Sequence, residues 1–269
     1  MSGEYQLSLT GVTKQVAKGT GGGCLTQKPV LGDSKRNVAV VLPAYEPDKR
    51  LVGLVERLKG CFRAVLVVND GSRGADEVFA ALPAVENVHL IVHPVNLGKG
   101  MALKTAFAEV LRRFPDIAGV VTADADGQHL VEDIRRVADA LLADPGRMVL
   151  GVRTFRRNVP FRSRFGNLWT IAEFFLLTGR IVRDTQSGLR GLPRLWLSAL
   201  AKIPGRRYDY EIGVLVAAVR TLGGVAEIPI ATVYDPGNAT SHYRPLADTV
   251  QTQWALLRAA LCLTRSRLV

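Results

Sequence analysis

From Asn37 onward the chain alternates short, wholly apolar runs with amphipathic segments, and few folds accept that rhythm. Val38-Ala39-Val40-Val41-Leu42, Ala64 to Val68, Val88 to Val92, Ala118 to Ala123 and Met148 to Val152 each read as a strand. Between them, Asp48 to Leu58 puts Leu51, Leu54, Val55 and Leu58 on one helical face; helices are also expected from Gly98 to Phe114 and from Val131 to Leu142. A strand that is apolar at every position must be buried on both faces. The sheet is therefore mostly parallel, with helices packed on each side. The expected class is α/β, a doubly wound sheet of the nucleotide-binding kind.

Ligands of such sheets lie beyond the carboxyl ends of the strands. Four runs end there in polar or sharply turning residues: Pro43-Ala44-Tyr45-Glu46, Asn69-Asp70-Gly71-Ser72, Asp124-Ala125-Asp126 and Gly151-Val152-Arg153. Any one of them fits an ordinary turn, but four at one edge describe a site. The strongest local signal is Asp124-Ala125-Asp126-Gly127-Gln128-His129, directly after a strand. Two carboxylates at i and i+2 with a nearby amide oxygen offer hard oxygen ligands, suited to Mg²⁺ or Mn²⁺. A cation held there can bridge diphosphate oxygens and neutralise a leaving nucleoside diphosphate. The same residues would also serve a turn and helix cap. Their place at this strand end favours the metal.

Charge divides the chain. Residues 1–150 carry 18 Lys and Arg against 17 Asp and Glu; residues 151–269 carry 17 against 7, and 16 of those 17 cations are Arg. So one-sided an excess points to a polyanionic partner, and the planar fork of arginine suits phosphate. Arg153, Arg156, Arg157, Arg162 and Arg164 fall within twelve residues that hold no acid. An apolar helical stretch from Leu168 to Val182 follows, shorter than the roughly 20 residues that span a bilayer. Val225 to Ile230 reads as a strand, and Pro245 to Val269 as an amphipathic helix with basic Arg258, Arg265 and Arg267. The Arg-rich segment holds no nucleic-acid reading motif and runs into an apolar helix, which suits an anionic membrane surface better than nucleic acid. Cys24, Cys61 and Cys262 are scattered without zinc spacing and fit a reducing compartment. Met1 to Arg36 has no continuous apolar core, so it reads as a flexible extension rather than a signal peptide.

Six motifs in order carry a family resemblance: Leu-Pro-Ala-Tyr-Glu at 42–46, Val-Val-Asn-Asp-Gly-Ser at 67–72, Asn-Leu-Gly-Lys-Gly at 96–100, Asp-Ala-Asp-Gly-Gln-His at 124–129, Gly-Val-Arg at 151–153 and Gln-Ser-Gly-Leu-Arg-Gly at 186–191. Together they resemble glycosyltransferase family two, with its GT-A fold, and within it the dolichyl- or polyprenyl-phosphate sugar synthase branch. The resemblance spans Asn37 to Asp248. It implies an inverting transfer of glucose or mannose, from UDP-glucose or GDP-mannose, to a polyprenyl or dolichyl phosphate with Mg²⁺ or Mn²⁺ as cofactor.

Carried over by position, the resemblance implies that Pro43, Tyr45 and Asp70 line the nucleoside pocket. Asp124 contacts the nucleotide with Ala125 beside it, while Asp126 and Gln128 hold the metal. Arg153 faces the phosphates, Arg162 falls near the acceptor-phosphate arginine, and Arg164 is its neighbouring candidate. Gln186-Ser187-Gly188 matches a loop closing over the sugar, and Ser241-His242-Tyr243-Arg244 takes the place of a mobile loop covering the donor. The first strand ends in Tyr-Glu-Pro where Tyr-Asn-Glu is commoner, so Glu46 stands for the usual acid. Lys99 fits either the diphosphate or a plain Gly-rich helix start. The expected organisation is an extension over 1–36, a catalytic domain over 37–244 and an interfacial amphipathic helix over 245–269. The protein is expected in the cytoplasm at the inner face of the membrane, with a separate membrane subunit compatible with the absence of a spanning run.

A phosphate monoester is already an ionised nucleophile near neutral pH, so this reaction needs little base catalysis. A soluble sugar acceptor would need a positioned base, for which Asp209 or Glu211 are the candidates. Tyr208-Asp209-Tyr210-Glu211 otherwise reads as a solvated helix start; His129 and His242 could hydrogen-bond phosphates, although a lone histidine is more often structural. Trp169, Phe174 and Phe175 read as core or interfacial packing. A non-catalytic module docking on membranes would have no use for the Asp124, Asp126 and Gln128 set.

Overall fold

The computed structural model describes residues 35–153 and 161–231, with side chains described in 35–153 and 170–231. Most of the expected extension, together with Ser241, His242, Arg244 and the helix expected over 245–269, lies outside these residues. Arg162 and Arg164 fall on a described helix, and their side chains lie outside.

The strands are β1 (Arg36–Ala44), β2 (Phe62–Asn69), β3 (Val88–Val92), β4 (Gly119–Thr122), β5 (Met148–Arg153), β6 (Arg190–Pro193) and β7 (Val225–Ile230). They form one sheet in the order β3-β2-β1-β4-β6-β5-β7. All neighbours are parallel except those of β6, which runs antiparallel to β4 and β5. The helices are α1 (Arg50–Lys59), α2 (Asp76–Ala80), α3 (Lys99–Arg113), α4 (Val131–Ala143), α5 (Phe161–Thr178), α6 (Arg194–Ala201) and α7 (Tyr208–Ala217), the last running into a π-helical turn.

The wholly apolar strands are explained by two cores. Val38, Val40 and Leu42 of β1 face α1, α2 and α4, packing on Leu51, Val55, Phe79 and Ile134. Ala39 and Val41, pointing the opposite way as strand alternation requires, pack with Phe107 of α3, Phe174 of α5, Leu197 of α6 and Tyr210 of α7. Both sets are buried, so truncating a fully buried ring such as Phe107 should cost about 3–5 kcal/mol. Tyr210 also satisfies its hydroxyl, which donates to the Leu200 carbonyl at 3.0 Å.

Three differences from the sequence reading have physical causes. Strand β6 was not expected: its four residues begin Arg190-Gly191, and its strand state comes from the partners on either side. Helix α7 shows no amphipathic stripe because every residue from Tyr210 to Ala217 is buried, removing the periodic signal. The helix expected from Leu168 to Val182 begins earlier, at Phe161, and stops at Thr178. There Gly179 takes a φ of +71° and donates to the Phe175 carbonyl at 2.7 Å, a left-handed ending that favours glycine.

Register aligns the functional edge. Ala44 pairs with Asn69 and Val41 with Thr122, so Tyr45, Asp70 and Asp124 emerge side by side. Antiparallel β6 enters the sheet at that same edge, because Arg190 pairs with Thr122 and Leu150. Arg153 pairs with Ile230 at the end of β5.

Candidate active site

Asp124 occupies the centre. Its Oδ1 accepts from Lys99 Nζ at 2.7 Å and its Oδ2 lies 3.2 Å from His129 Nε2. Burial alone would raise this carboxyl, but the Lys99 ammonium and His129 hold it far below the ordinary range. Gly188 packs against the carboxylate so closely that a Cβ there would sit 2.7 Å from Oδ2. The Gln186-Ser187-Gly188 loop therefore does reach Asp124, with Gln186 exposed at its tip. Thr122 fastens it by donating its hydroxyl to the Gly188 carbonyl at 2.8 Å.

Asp126 contrasts with its neighbour. Its Oδ1 accepts the Gln128 backbone N–H at 2.9 Å, and no cation pairs with it among the described residues. Burial and the adjacent Asp124 push its carboxyl above the usual value. A carboxylate short of positive charge, beside the Gln128 amide, suits a divalent ion. Among the described residues no group of three or more His, Cys, Asp or Glu could hold a metal by itself. Asp126 and Gln128 would thus supply part of the coordination, and phosphate oxygens and water the rest, as Mg²⁺ commonly requires.

The corner where β1 and β2 end is built from loops stitched together. Asp70, 3% exposed, accepts from Leu97 N at 3.0 Å and Gly98 N at 2.8 Å and faces His93 Nδ1 at 2.8 Å, so it shapes the start of α3. Glu46 adopts a φ of +48°, unusual for a non-glycine residue. Its carboxylate accepts from Arg73 N at 2.7 Å and Gly74 N at 3.1 Å, and its own N–H donates to Ser72 Oγ at 2.9 Å. Glu46 thereby ties the end of β1 to the loop after β2. Tyr45 is 41% exposed just after β1, Pro43 is half-buried within β1, and Ala125 is buried between Asp124 and Asp126.

On the other side, Arg153 is clamped by Asp184. Nε and Nη2 donate to the two carboxylate oxygens at 2.7 and 3.0 Å, and the Arg153 N–H reaches Oδ2 at 3.3 Å. Asp184 is fully buried. Nothing in the local sequence singled it out, since its partner lies 31 residues away.

The helix-start reading of Tyr208 to Glu211 is half right. Asp209 does lie in the first turn of α7, where its Oδ1 accepts from Arg206 N at 3.2 Å and Arg207 N at 2.7 Å, the two residues just before the helix. Glu211 is not solvated: it is buried, with Oε2 2.9 Å from Lys99 Nζ. Arg190, also buried, donates to the carbonyls of Ser187, Glu211 and Thr185 and locks the loop to α7. Asp184 and Arg190 join the site beyond the residues expected from sequence, and Glu211, weighed there as a base, and His129, weighed there mainly as structural, join it through Lys99 and Asp124. Phe174 is core, while Phe175 is 46% exposed.

Comparison with known proteins agrees with this geometry. Residues 39–200 match the family described as Glycosyl transferase family 2. The UDP-N-acetylglucosamine–dolichyl-phosphate N-acetylglucosaminyltransferase of Methanococcus voltae is 30% identical over 219 residues, covering 73% of this chain and 86% of that protein. The polyprenol monophosphomannose synthase of Mycolicibacterium smegmatis is 31% identical, covering 71% and 75%. Among solved structures, glucosyl-3-phosphoglycerate synthase from Mycobacterium tuberculosis, in complex with Mn²⁺, UDP-glucose and phosphoglyceric acid, superposes with a TM-score of 0.60. It shares 21% identity over 84% of this chain and 79% of that one, a likeness of fold. The sheet, its strand-end motifs and these matches agree: the chain belongs to glycosyltransferase family 2, has the GT-A fold, and sits on the polyprenyl-phosphate sugar synthase branch.

Proposed function

We propose that this protein transfers a hexose, with inversion, from a nucleotide diphosphate sugar to the phosphate of a polyprenyl or dolichyl lipid. The observation carrying the choice of acceptor is the engagement of both candidate bases. Asp209 Oδ1 accepts two backbone N–H groups at the start of α7 and Glu211 pairs with Lys99, so both acids already have partners, which favours an acceptor that needs no base. An ionised phosphate needs no such proton removal. The relatives are named for N-acetylglucosamine, mannose and glucose transfer, which supports this acceptor and adds UDP-N-acetylglucosamine to UDP-glucose and GDP-mannose as candidate donors.

In this mechanism Asp70, Glu46 and the Gly98 loop shape the nucleoside pocket, and Asp124 is oriented by Lys99, His129 and Gly188. Asp126 and Gln128 would hold Mg²⁺ or Mn²⁺, which supplies positive charge for the leaving diphosphate. Arg153, fixed by Asp184, keeps a guanidinium ready at the edge of β5 to bring two anionic reactants together. Arg162 and Arg164 on α5 follow as the acceptor-phosphate cations. Replacing either by alanine should lower efficiency with polyprenyl phosphate about ten- to a hundredfold, the cost of a charged hydrogen bond. Slow donor hydrolysis should be nearly unchanged; an equal fall in both rates would remove these residues from the acceptor side.

The protein would work at the membrane surface on the cytoplasmic side, alone or with a membrane subunit. No described helix is long and apolar enough to cross a membrane. The end of α5 and the following turn expose Leu176 at 81%, Ile181 at 68% and Phe175, with Arg180 and Arg183 beside them. Apolar insertion joined to cationic attraction suits anionic bilayers, each cation near the surface contributing about 1 kcal/mol. Co-sedimentation with anionic vesicles should weaken when Leu176 and Ile181 are both replaced by Ser, and when salt is raised. Unchanged sedimentation of that variant would place the membrane contact elsewhere.

A further inference from the structure

We propose that Glu211 is a positioning residue, holding Lys99 as a cation directed at the donor diphosphate. The inference deepens, and rests on, the nucleotide-sugar reading. Lys99 Nζ lies between two carboxylates, 2.7 Å from Asp124 Oδ1 and 2.9 Å from Glu211 Oε2. An ammonium has three N–H donors. Two are taken by these oxygens, leaving one for an acceptor that enters at the strand edge. The Tyr208 ring lies 5.7 Å from the ammonium and closes another side.

The surroundings are built to bring Glu211 to this place. Helix α7 approaches the start of α3 only because residues 98 and 100 are glycines. A Cβ at Gly98 would lie 2.4 Å from the Arg206 carbonyl oxygen, and one at Gly100 would lie 2.5 Å from Tyr210 Cβ. Met101 N donates to that same Arg206 carbonyl at 3.2 Å. From the opposite side, Arg190 Nη1 donates to the Glu211 carbonyl at 2.5 Å and fixes its main chain. Burial opposes a charged Lys99, but Asp124 and Glu211 raise its pKa above the ordinary value. A long, flexible side chain is thereby both charged and ordered before the donor arrives, which cuts the entropy lost on binding.

Glu211 so placed acts through Lys99 and need not touch the substrate. A base would behave differently: Glu211→Gln would then abolish transfer without changing affinity for a nucleoside diphosphate.

The test is calorimetric titration of the full-length protein with UDP and GDP in Mg²⁺, with UMP and GMP as controls. For whichever diphosphate binds, E211Q should weaken affinity about tenfold, the scale of one charged hydrogen bond. Affinity for the matching monophosphate should move less than about twofold, and in a K99M background E211Q should add less than about twofold to the loss of diphosphate affinity. The double variant removes Lys99 and Glu211 together and leaves Asp124 only its contact with His129, so thermal melting of each variant separates a folding loss from a loss of affinity. Undiminished diphosphate affinity in E211Q or in K99M would overturn the inference alone. So would an equal loss for the monophosphate, or additive losses in the double variant. A wild-type protein that binds neither diphosphate would overturn the nucleotide-sugar reading as well.

Discussion

Asp126→Ala should lower sugar transfer by about 10²-fold or more while the protein stays folded, because it removes part of an electrostatic clamp on the leaving diphosphate. Excess chelator should do the same to the wild type. Stability moves the other way. Burial and Asp124 raise the Asp126 carboxyl in the folded protein, so its ionisation opposes folding above that pKa, and the penalty vanishes as pH falls and the group protonates. Without metal at neutral pH, Asp126→Ala or Asp126→Asn should therefore melt at or above the wild-type temperature. Added Mg²⁺ or Mn²⁺ should raise the melting temperature of the wild type, by about 2.7 kcal/mol of stability at a hundred times Kd, and leave both variants unmoved. Full turnover in chelator would remove the metal from the account.

Arg153→Leu should damage both stability and chemistry, and the two effects can be separated. Asp184 has no exposed surface, and Arg153 is the cation bonded to its carboxylate through two guanidinium nitrogens. Removing one partner of a buried pair strands the other, a loss of about 3–5 kcal/mol. The Arg153 side chain retains 32% of its exposure, so the lower end of that range is expected. Replacing both residues, as Arg153→Leu with Asp184→Leu, should recover most of the stability because neither charge is then buried alone. Transfer should stay depressed in both variants, since the guanidinium is missing from the edge of β5. Thermal melts and steady-state rates on the three proteins check this. Recovery of transfer in the double variant would make the pair purely structural.

The parallel strands were legible because burial on both faces writes itself into the chain as uninterrupted apolar runs, as in Val38 to Leu42. The loop of Asp124, Asp126 and Gln128 stood out as a candidate for a similar reason, since these residues lie within five positions and follow a strand. What stayed hidden depends on distance along the chain. Glu211 looks like any acid near a helix start, and its partner Lys99, which it shares with Asp124, is brought to it only by the packing of α7 on α3. Asp184 meets Arg153 across a loop and a helix. Strand β6 has a composition that turns share, and α7 is buried all round, so neither carries a periodicity to read. Lys99, which sequence left between a helix start and the diphosphate, proves to be both the first residue of α3 and a partner of Asp124.

The most direct test of the central claim is a transfer assay with the purified full-length protein. Labelled UDP-glucose, UDP-N-acetylglucosamine and GDP-mannose would each be offered with polyprenyl phosphate in detergent and Mg²⁺, and separately with free sugars. The predicted result is label in the lipid fraction from one of these donors, as a sugar joined to the lipid phosphate with inverted configuration. Label moving to a free sugar hydroxyl, with none reaching the lipid phosphate from any donor, would contradict it.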